Sequence, residues 1–185
     1  GLAGGSTDAA AVLKALNSLC QTGLSDDELC AIGVKLGADV PFCVKGGTML
    51  AQDIGQVLSP LPKLEGYYIV LVKPDVSVST KEAYEAFDAC GNIRHPNCLS
   101  VLHSAAKGDY KEVIAKVGNV FEQFIEVPHR ADIKAVMRSC GSLACCMSGS
   151  GPTVFGIFDD EAKAQKCVEM LKNDYGKVYL TQPVN

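Results

Sequence analysis

Gly1-Leu2-Ala3-Gly4-Gly5-Ser6-Thr7-Asp8-Ala9-Ala10-Ala11 opens the chain, and the rest of the sequence is read outward from it. The glycines at 1, 4 and 5 make a loop, and Ser6, Thr7 and Asp8 are each good helix N-caps. Val12, Leu13, Leu16, Leu19 and Cys20 then recur at helical spacing, which predicts a helix over 9–20 ended by Gly23. A glycine loop feeding a helix presents unpaired backbone N–H groups and the positive end of the helix dipole, an arrangement that suits phosphate. The two hydroxyls and the carboxylate offer oxygens to Mg²⁺ or donors to phosphate, and at least one also serves as a cap. The GxxxxGK[ST] spacing is absent, which excludes a Walker-type site.

Downstream, Ser25-Asp26-Asp27-Glu28 is a capping box opening a helix that runs to Gly37. Asp39 follows, at a chain reversal and ahead of Val40-Pro41-Phe42-Cys43-Val44, which reads as the opening of a strand. A carboxylate flanked there by Ala38 and Val40 is expected to be partly desolvated and fixed in direction, as a base that orients or deprotonates a hydroxyl should be. A local turn-forming role is the alternative. Residues 48–58 read as a strand pair or turn, and the two prolines in 59–63 mark a linker.

Beyond the linker, 68–72 is a buried-type strand, and Ser79-Thr80-Lys81-Glu82 opens another helix with a second capping box. Helices are predicted over 97–106, 110–117, 120–125, 131–140 and 161–173, with strands over 143–147, 153–158 and 177–180. Without a regular βαβ repeat, the class is α+β. Ser148-Gly149-Ser150-Gly151-Pro152-Thr153 joins two strands, so neither a dinucleotide-binding helix opening nor a nucleophile elbow fits it. Such a loop is either a hairpin turn or a close approach to another backbone or a phosphate. Tyr84 and Phe87 serve core packing or base stacking, and His95, His103 and His129 have no partners in sequence that suggest chemistry.

Composition narrows the classes further. The 185 residues are 48% hydrophobic and 21% charged, with a net charge of −4, which fits a folded chain with a real core. The mild acidity, 6% aromatic content and absence of Trp argue against nucleic acid as a partner. No apolar run approaches the roughly 18–20 residues that cross a bilayer, so no membrane partner is expected. Nine scattered cysteines, an odd number without a CxxC pair, read as reduced thiols serving as small hydrophobes, Cys20, Cys30, Cys43 and Cys167 among them. Cys145 and Cys146 alternate faces of a strand.

Read together, 1–11, Leu36-Gly37-Ala38-Asp39-Val40-Pro41-Phe42 and Met147-Ser148-Gly149-Ser150-Gly151-Pro152-Thr153-Val154-Phe155 resemble the galactokinase, homoserine kinase, mevalonate kinase and phosphomevalonate kinase (GHMP) superfamily. The 36–42 block and Val78-Ser79-Thr80 with Tyr84 are similar to the branch acting on cytidine-diphosphate-linked methylerythritol. The resemblance implies a two-lobed α+β fold: a partial ribosomal-protein-S5-like lobe over 1–65 and a ferredoxin-like lobe over 66–185. It implies ATP-dependent phosphorylation of the substrate's tertiary 2-hydroxyl, in the non-mevalonate isoprenoid route of the bacterial cytoplasm or the plastid stroma.

By motif position, Gly1, Leu2, Ala3, Gly4, Gly5, Ser6, Thr7 and Asp8 would cradle the ATP phosphates, with Ser6 nearest Mg²⁺. Asp39 would be the catalytic base. Thr80 and Tyr84 would line the cytidine pocket, and Gly149, Ser150 and Gly151 would close on the phosphate loop and the substrate's diphosphate. The family also carries a segment ahead of the phosphate loop with an active-site Lys and a second stacking aromatic. The chain is therefore expected to be a fragment, inactive alone, with that segment as a separate chain or the remainder of a longer one. Another GHMP small-molecule kinase, of homoserine or mevalonate type, and a non-catalytic nucleotide-binding domain are the alternatives.

Overall fold

The structure, a computed structural model, describes residues 1–184. They divide into two compact units, one of Ala3–Lys63 and one of Gly1–Leu2 with Leu64–Pro183. The expected linker over 59–63 begins inside a strand, and the division falls after Lys63.

The smaller unit holds α1 (Gly4–Leu19), α2 (Asp26–Gly33), α3 (Val40–Lys45) and an antiparallel hairpin of β1 (Met49–Gln52) and β2 (Val57–Pro60). Helix α1 starts five residues earlier than its apolar periodicity suggests. Ala3 takes the left-handed conformation at its N-cap (φ 49°), so Ser6, Thr7 and Asp8 lie inside the helix, Asp8 past its first turn, instead of capping it. Ser25 completes both halves of its capping box with Glu28, as read from the sequence. The segment 40–44 is a helix, not a strand. Val40 and Val44 are buried one turn apart, Pro41 occupies the first turn, where its missing N–H costs nothing, and Gly46 at φ 67° ends the helix. Ala10, Leu29, Val40 and Val44 form the core of this unit, with Leu13, Leu24, Cys30 and Cys43 packed against it.

The larger unit begins with β3 (Tyr68–Val72), α4 (Thr80–Ala89), α5 (Cys98–Ala106) and α6 (Tyr110–Ala115). Then come a 3-10 turn at Val120–Gln123, α7 (Arg130–Ser139), β4 (Ala144–Met147), β5 (Val154–Phe158), α8 (Glu161–Lys172) and β6 (Val178–Thr181). The strands form one antiparallel sheet in the order β4-β5-β3-β6, with α7 and α8 in the two crossovers, which is the ferredoxin-like topology. Val70, Val72, Val154, Phe158 and Val178 of the sheet meet Ile133, Met137, Cys167, Val168 and Leu171 of the helices in a single core. Gly156 makes this packing possible, because a Cβ there would stand 3.0 Å from Met137 Sδ and 3.2 Å from the Phe158 ring.

All nine cysteines are free. Burial pushes the Cys146 thiol up to about 11 and the Cys167 thiol up to about 12, so both stay protonated and pack as hydrophobes. Cys20 departs from that reading, since it is exposed at the C-terminal end of α1. The expected helix over 120–125 is the shorter 3-10 turn, opened by the Asn119 side chain, which accepts from the Phe121 amide.

Candidate functional site

In the smaller unit, no side chain caps the N-terminus of α1. Helix geometry leaves the first N–H groups, at Gly4, Gly5 and Ser6, without intrahelical acceptors. Thr7 Oγ1 donates to the Ala3 carbonyl (3.1 Å) and lies 3.7 Å from Cys43 Sγ, so that hydroxyl is already engaged. Ser6 Oγ and the Asp8 carboxylate have no hydrogen-bond partner among the described residues, and Asp8 is exposed. A Cβ on Gly37 would stand 3.8 Å from Ser6 Oγ, which places the turn before Asp39 beside the α1 terminus.

Asp39 occupies the N-cap position of α3 (φ −84°, ψ −9°), yet its side chain makes no capping bond. Among the described residues its carboxylate has no hydrogen bond or ion pair at all. The β1–β2 turn lies beside it, where a Cβ on Gly55 (φ 112°) would lie 3.7 Å from Asp39 Oδ1. The expectation of partial desolvation fails here, because Asp39 is exposed. Its backbone is nevertheless fixed. Val40 is 1% exposed and sits against Gly33, where a Cβ would come within 2.7 Å of Val40 Cγ1. Gly33 therefore permits the close approach of α2 and α3 that sets the height of Asp39.

The larger unit assembles the other predicted residues. The turn between β4 and β5 carries Gly149 at φ 54° and Gly151 at φ 93°, joined by a cis Gly151–Pro152 bond. At Gly151 a Cβ would stand 2.8 Å from Met147 Sδ, so glycine is required there by both conformation and space. This turn approaches another backbone: Ser148 Oγ donates to the Gly1 carbonyl (2.5 Å), and a Cβ on Gly1 would be 2.8 Å from the Gly151 carbonyl oxygen. Thr80 Oγ1 and Ser150 Oγ lie 3.1 Å apart. Tyr84 is 55% exposed, with its ring held edge-on by Phe121 at 5.2 Å. Phe87, Phe121 and Phe124 back it as an aromatic cluster. Phe87 thus takes the packing role and Tyr84 stays open to a ligand.

Asn119 and Glu122, which the sequence gives no reason to single out, hold this turn, and Lys134 and Arg130 brace the segment behind them. Asn119 Nδ2 donates to the carbonyls of Met147 (2.8 Å) and Gly149 (2.7 Å). Glu122 Oε1 accepts from the Met147 amide (2.7 Å), and Lys134 pairs with the same carboxylate at 2.7 Å, both side chains being mostly buried. Arg130 donates to the carbonyls of Ile125 (2.5 Å) and Glu122 (3.2 Å). A shallow depression of about 330 Å³ opens beside them, lined by Asn119, Phe121, Met147, Ser148 and Gly149 among others. Only the capping half of the Asn119 role has a local signal, an Asn just ahead of a helical turn; its bonds to Met147 and Gly149 have none.

Two family models match the chain: GHMP kinases N terminal domain over 1–47 and GHMP kinases C terminal over 101–177. The "4-diphosphocytidyl-2-C-methyl-D-erythritol kinase" of Clostridium novyi is 45% identical over 186 residues, covering 100% of this chain and 66% of the relative. The Clostridium acetobutylicum protein of the same name is 42% identical over the same span and shares. The chain thus spans 66% of the length of these curated relatives. Among solved structures, a 4-(cytidine 5'-diphospho)-2C-methyl-D-erythritol kinase is 29% identical with a TM-score of 0.72, covering 96% of this chain and 64% of that one. Homoserine kinase from Cytophaga hutchinsonii superposes with a TM-score of 0.78 over 94% of this chain and 63% of that one, at 22% identity, a likeness of fold alone.

Proposed function

Because the chain belongs to the GHMP kinase family, we propose that it contributes the phosphate-binding helix, the catalytic base and the acceptor pocket of a small-molecule kinase. ATP is the phosphoryl donor, and the acceptor is the 2-hydroxyl of 4-(cytidine-5′-diphospho)-2-C-methyl-D-erythritol. What separates this acceptor from those of the homoserine and mevalonate kinases is identity: the relatives at 38–45% carry this substrate in their names, whereas the homoserine kinase likeness is structural at 22%. A cytoplasmic setting fits the bacterial relatives, and among the described residues no helix is long and apolar enough to cross a membrane.

The observation that carries the reading is the Asp39 carboxylate, which holds the N-cap position of α3 and caps nothing. An Asx residue there normally bonds the helix N–H groups. Unbonded, its oxygens are left for a ligand hydroxyl. In the reaction, the acceptor oxygen forms a bond to the γ-phosphorus as the bond from that phosphorus to the ADP oxygen breaks, and Asp39 takes the hydroxyl proton. Gly1 to Asp8 supply N–H groups and a helix terminus to the phosphates, with little covalent work for the protein beyond positioning. Ser6 Oγ and the Asp8 carboxylate suit Mg²⁺, an ion held by one or two protein oxygens together with the substrate's phosphates. Bound there with ATP, the ion would offset charge developing on the transferring group. Thr80 and Tyr84 receive the cytidine, Tyr84 by stacking, while Gly149, Ser150 and Gly151 meet the diphosphate.

Asp39→Asn in the full-length protein tests this. Loss of a general base lowers kcat by about 10²–10⁴-fold, with ATP affinity within about threefold of wild type. Turnover at the wild-type rate would refute the assignment. Competition by cytidine nucleotides, and none by homoserine or mevalonate, separates the acceptor from those of the sister kinases.

A further inference from the structure

We propose that Asn119 is a positioning residue that turns the Ser150 amide toward the ligand's diphosphate, an inference that rests on the reading of the 149–151 turn given above. The ends of the turn are tied, Ser148 N to Thr153 O and Gly151 N to Ser148 O, but neither bond fixes the direction of the central Gly149–Ser150 peptide. Gly149 and Gly151 have no side chains to pack, both have positive φ, and a Cβ at Gly149 would meet nothing within 4 Å. Left to itself, the Gly149–Ser150 peptide could rotate at little steric cost.

Asn119 removes that freedom. Both protons of its amide are used, one on Met147 O and one on Gly149 O, at 2.8 and 2.7 Å. Its own oxygen accepts from Phe121 N at 2.9 Å, which locks the orientation of the side-chain amide. The base of the turn is clamped from the same side, since Glu122 takes the Met147 amide while Asn119 takes the Met147 carbonyl. These are the outward-facing groups of an edge strand, so one Asn and one Glu close the edge and fix the turn together.

The consequence follows from peptide geometry. In a trans peptide the C=O and the next N–H point in opposite directions. With the Gly149 carbonyl drawn to Asn119, the Ser150 N–H is driven the other way, and among the described residues no acceptor takes it. Gly151 N is already bound to Ser148 O at 2.9 Å and Ser148 N to Thr153 O at 2.8 Å, so the donors the turn has left to offer are the amides of Gly149 and Ser150, and the direction of the second is the one Asn119 sets. The Ser150 hydroxyl and Thr80 Oγ1, 3.1 Å apart, stand next to it, and whichever of the two accepts in their shared bond keeps its own proton for a ligand. Asn119 also opens the 3-10 turn carrying Phe121, the ring that holds Tyr84. One side chain thereby links the anion-facing amide to the support of the base-stacking ring. A diphosphate joined to a stacking base fits this chemistry, and the proposed function makes that base cytosine.

The test compares cytidine with CDP by titration calorimetry on the full-length protein, in wild type and in Asn119→Asp. The Asp keeps an oxygen for Phe121 N but presents a carboxylate to the Gly149 carbonyl, forcing the peptide to turn. A charge-assisted bond from an amide to phosphate is worth about ten- to a hundredfold in affinity. The preference for CDP over cytidine should therefore fall by about tenfold or more in the variant, with cytidine affinity within about twofold of wild type. Asn119→Ala, which removes both donors without adding charge, should lower the same ratio, and serves if the Asp variant does not fold. A ratio unchanged in the folded variants, or cytidine and CDP weakened equally, overturns the positioning role. Wild type with no preference for CDP overturns the reading of the turn itself, and the inference with it.

Discussion

Gly33→Ala probes the packing that places Asp39. The added Cβ would stand 2.7 Å from Val40 Cγ1 and 3.3 Å from Val40 Cβ, where carbon atoms prefer about 3.5–4.0 Å. Val40 is 1% exposed and has no solvent side to retreat to, so α3 must slide away from α2 by about 1 Å. Overpacking of this kind costs about 1–3 kcal/mol. Ala at a helical position returns up to about 1 kcal/mol over Gly, which leaves a net loss of about 1–2 kcal/mol. The functional effect is larger in proportion, because Asp39 adjoins Val40 and a displacement of about 1 Å in a reacting group can cost about 10²-fold. Urea unfolding of the variant gives the first quantity and kcat the second. Val40→Ala supplies the control. Alone it removes two buried methyl equivalents, for about 1.5–3 kcal/mol. With Gly33→Ala it also removes the clashing atom, so the double variant should be more stable than the sum of the singles by about 1 kcal/mol or more. Strictly additive losses, or a Gly33→Ala protein with wild-type stability and kcat, would refute the reasoning.

Two further predictions follow from the site and the scaffold. Tyr84→Ala should raise KM for the cytidine-bearing acceptor by about tenfold, since a base stack is worth about 1–3 kcal/mol, and leave KM for ATP unchanged; equal shifts in both, by steady-state kinetics, would dissociate Tyr84 from the base. Ser25→Ala should cost about 1 kcal/mol of stability at neutral pH, read by urea unfolding. Its pH dependence has a defined sign. The Ser25 backbone and then its hydroxyl hold Glu28 below its ordinary 4.5. A depressed carboxylate stabilises the fold above its unfolded pKa and loses that contribution as pH falls through the folded value. The gap between wild type and variant should therefore narrow as pH is lowered from 7 toward 3, and a gap that widens would contradict the capping box.

How far the fold was legible can be judged at particular residues. Ser25-Asp26-Asp27-Glu28 and the run 68–72 carry their structure in local chemistry, a reciprocal cap in one case and an unbroken apolar strand rich in β-branched residues in the other. The ferredoxin-like order also follows once 143–147 and 153–158 are seen as strands with a glycine turn between them. Val40 to Val44 misled because valine at high density suggests a strand, whereas tertiary burial of positions 40 and 44 on one side decided for a helix. The start of α1 misled for the opposite reason. Three good caps in a row looked decisive, yet the backbone turned at Ala3, whose left-handed conformation sequence propensity does not anticipate. For the candidate site, chemistry-bearing residues such as Asp39, Tyr84 and Ser150 stood out by type. Asn119 and Gly33 did not, since each acts on a partner at least seven positions away that only the folded chain identifies.

The same contrast explains which local rules this chain breaks. Helix α1 forgoes a side-chain cap although three capping residues lie beside its start, and α3 forgoes one although Asp39 occupies the right position. A missing cap costs about 1 kcal/mol; at α1 the N-cap residue is Ala3, which has no oxygen to offer, and at α3 the backbone of Asp39 is itself helical and Pro41 has no N–H to be capped. By contrast α2, α4, α5, α6 and α8 are capped by Ser25, Ser79, Asn97, Asp109 and Asp160 through bonds from the expected amides, although α4 carries Thr80 and Tyr84. Unpaired donors at one helix end and an unpaired carboxylate at another are what phosphate and a hydroxyl would each need, donors for the first and an acceptor for the second. Helix α7, opened by His129 at φ 64°, also lacks a side-chain cap and carries no candidate residue, so a missing cap does not by itself mark a site; at α1 and α3 it leaves groups of the kind the chemistry needs. Were α1 capped from its own first turn, or Asp39 bonded to the amides of α3, those groups would be spent on folding and the kinase reading would lose its physical basis.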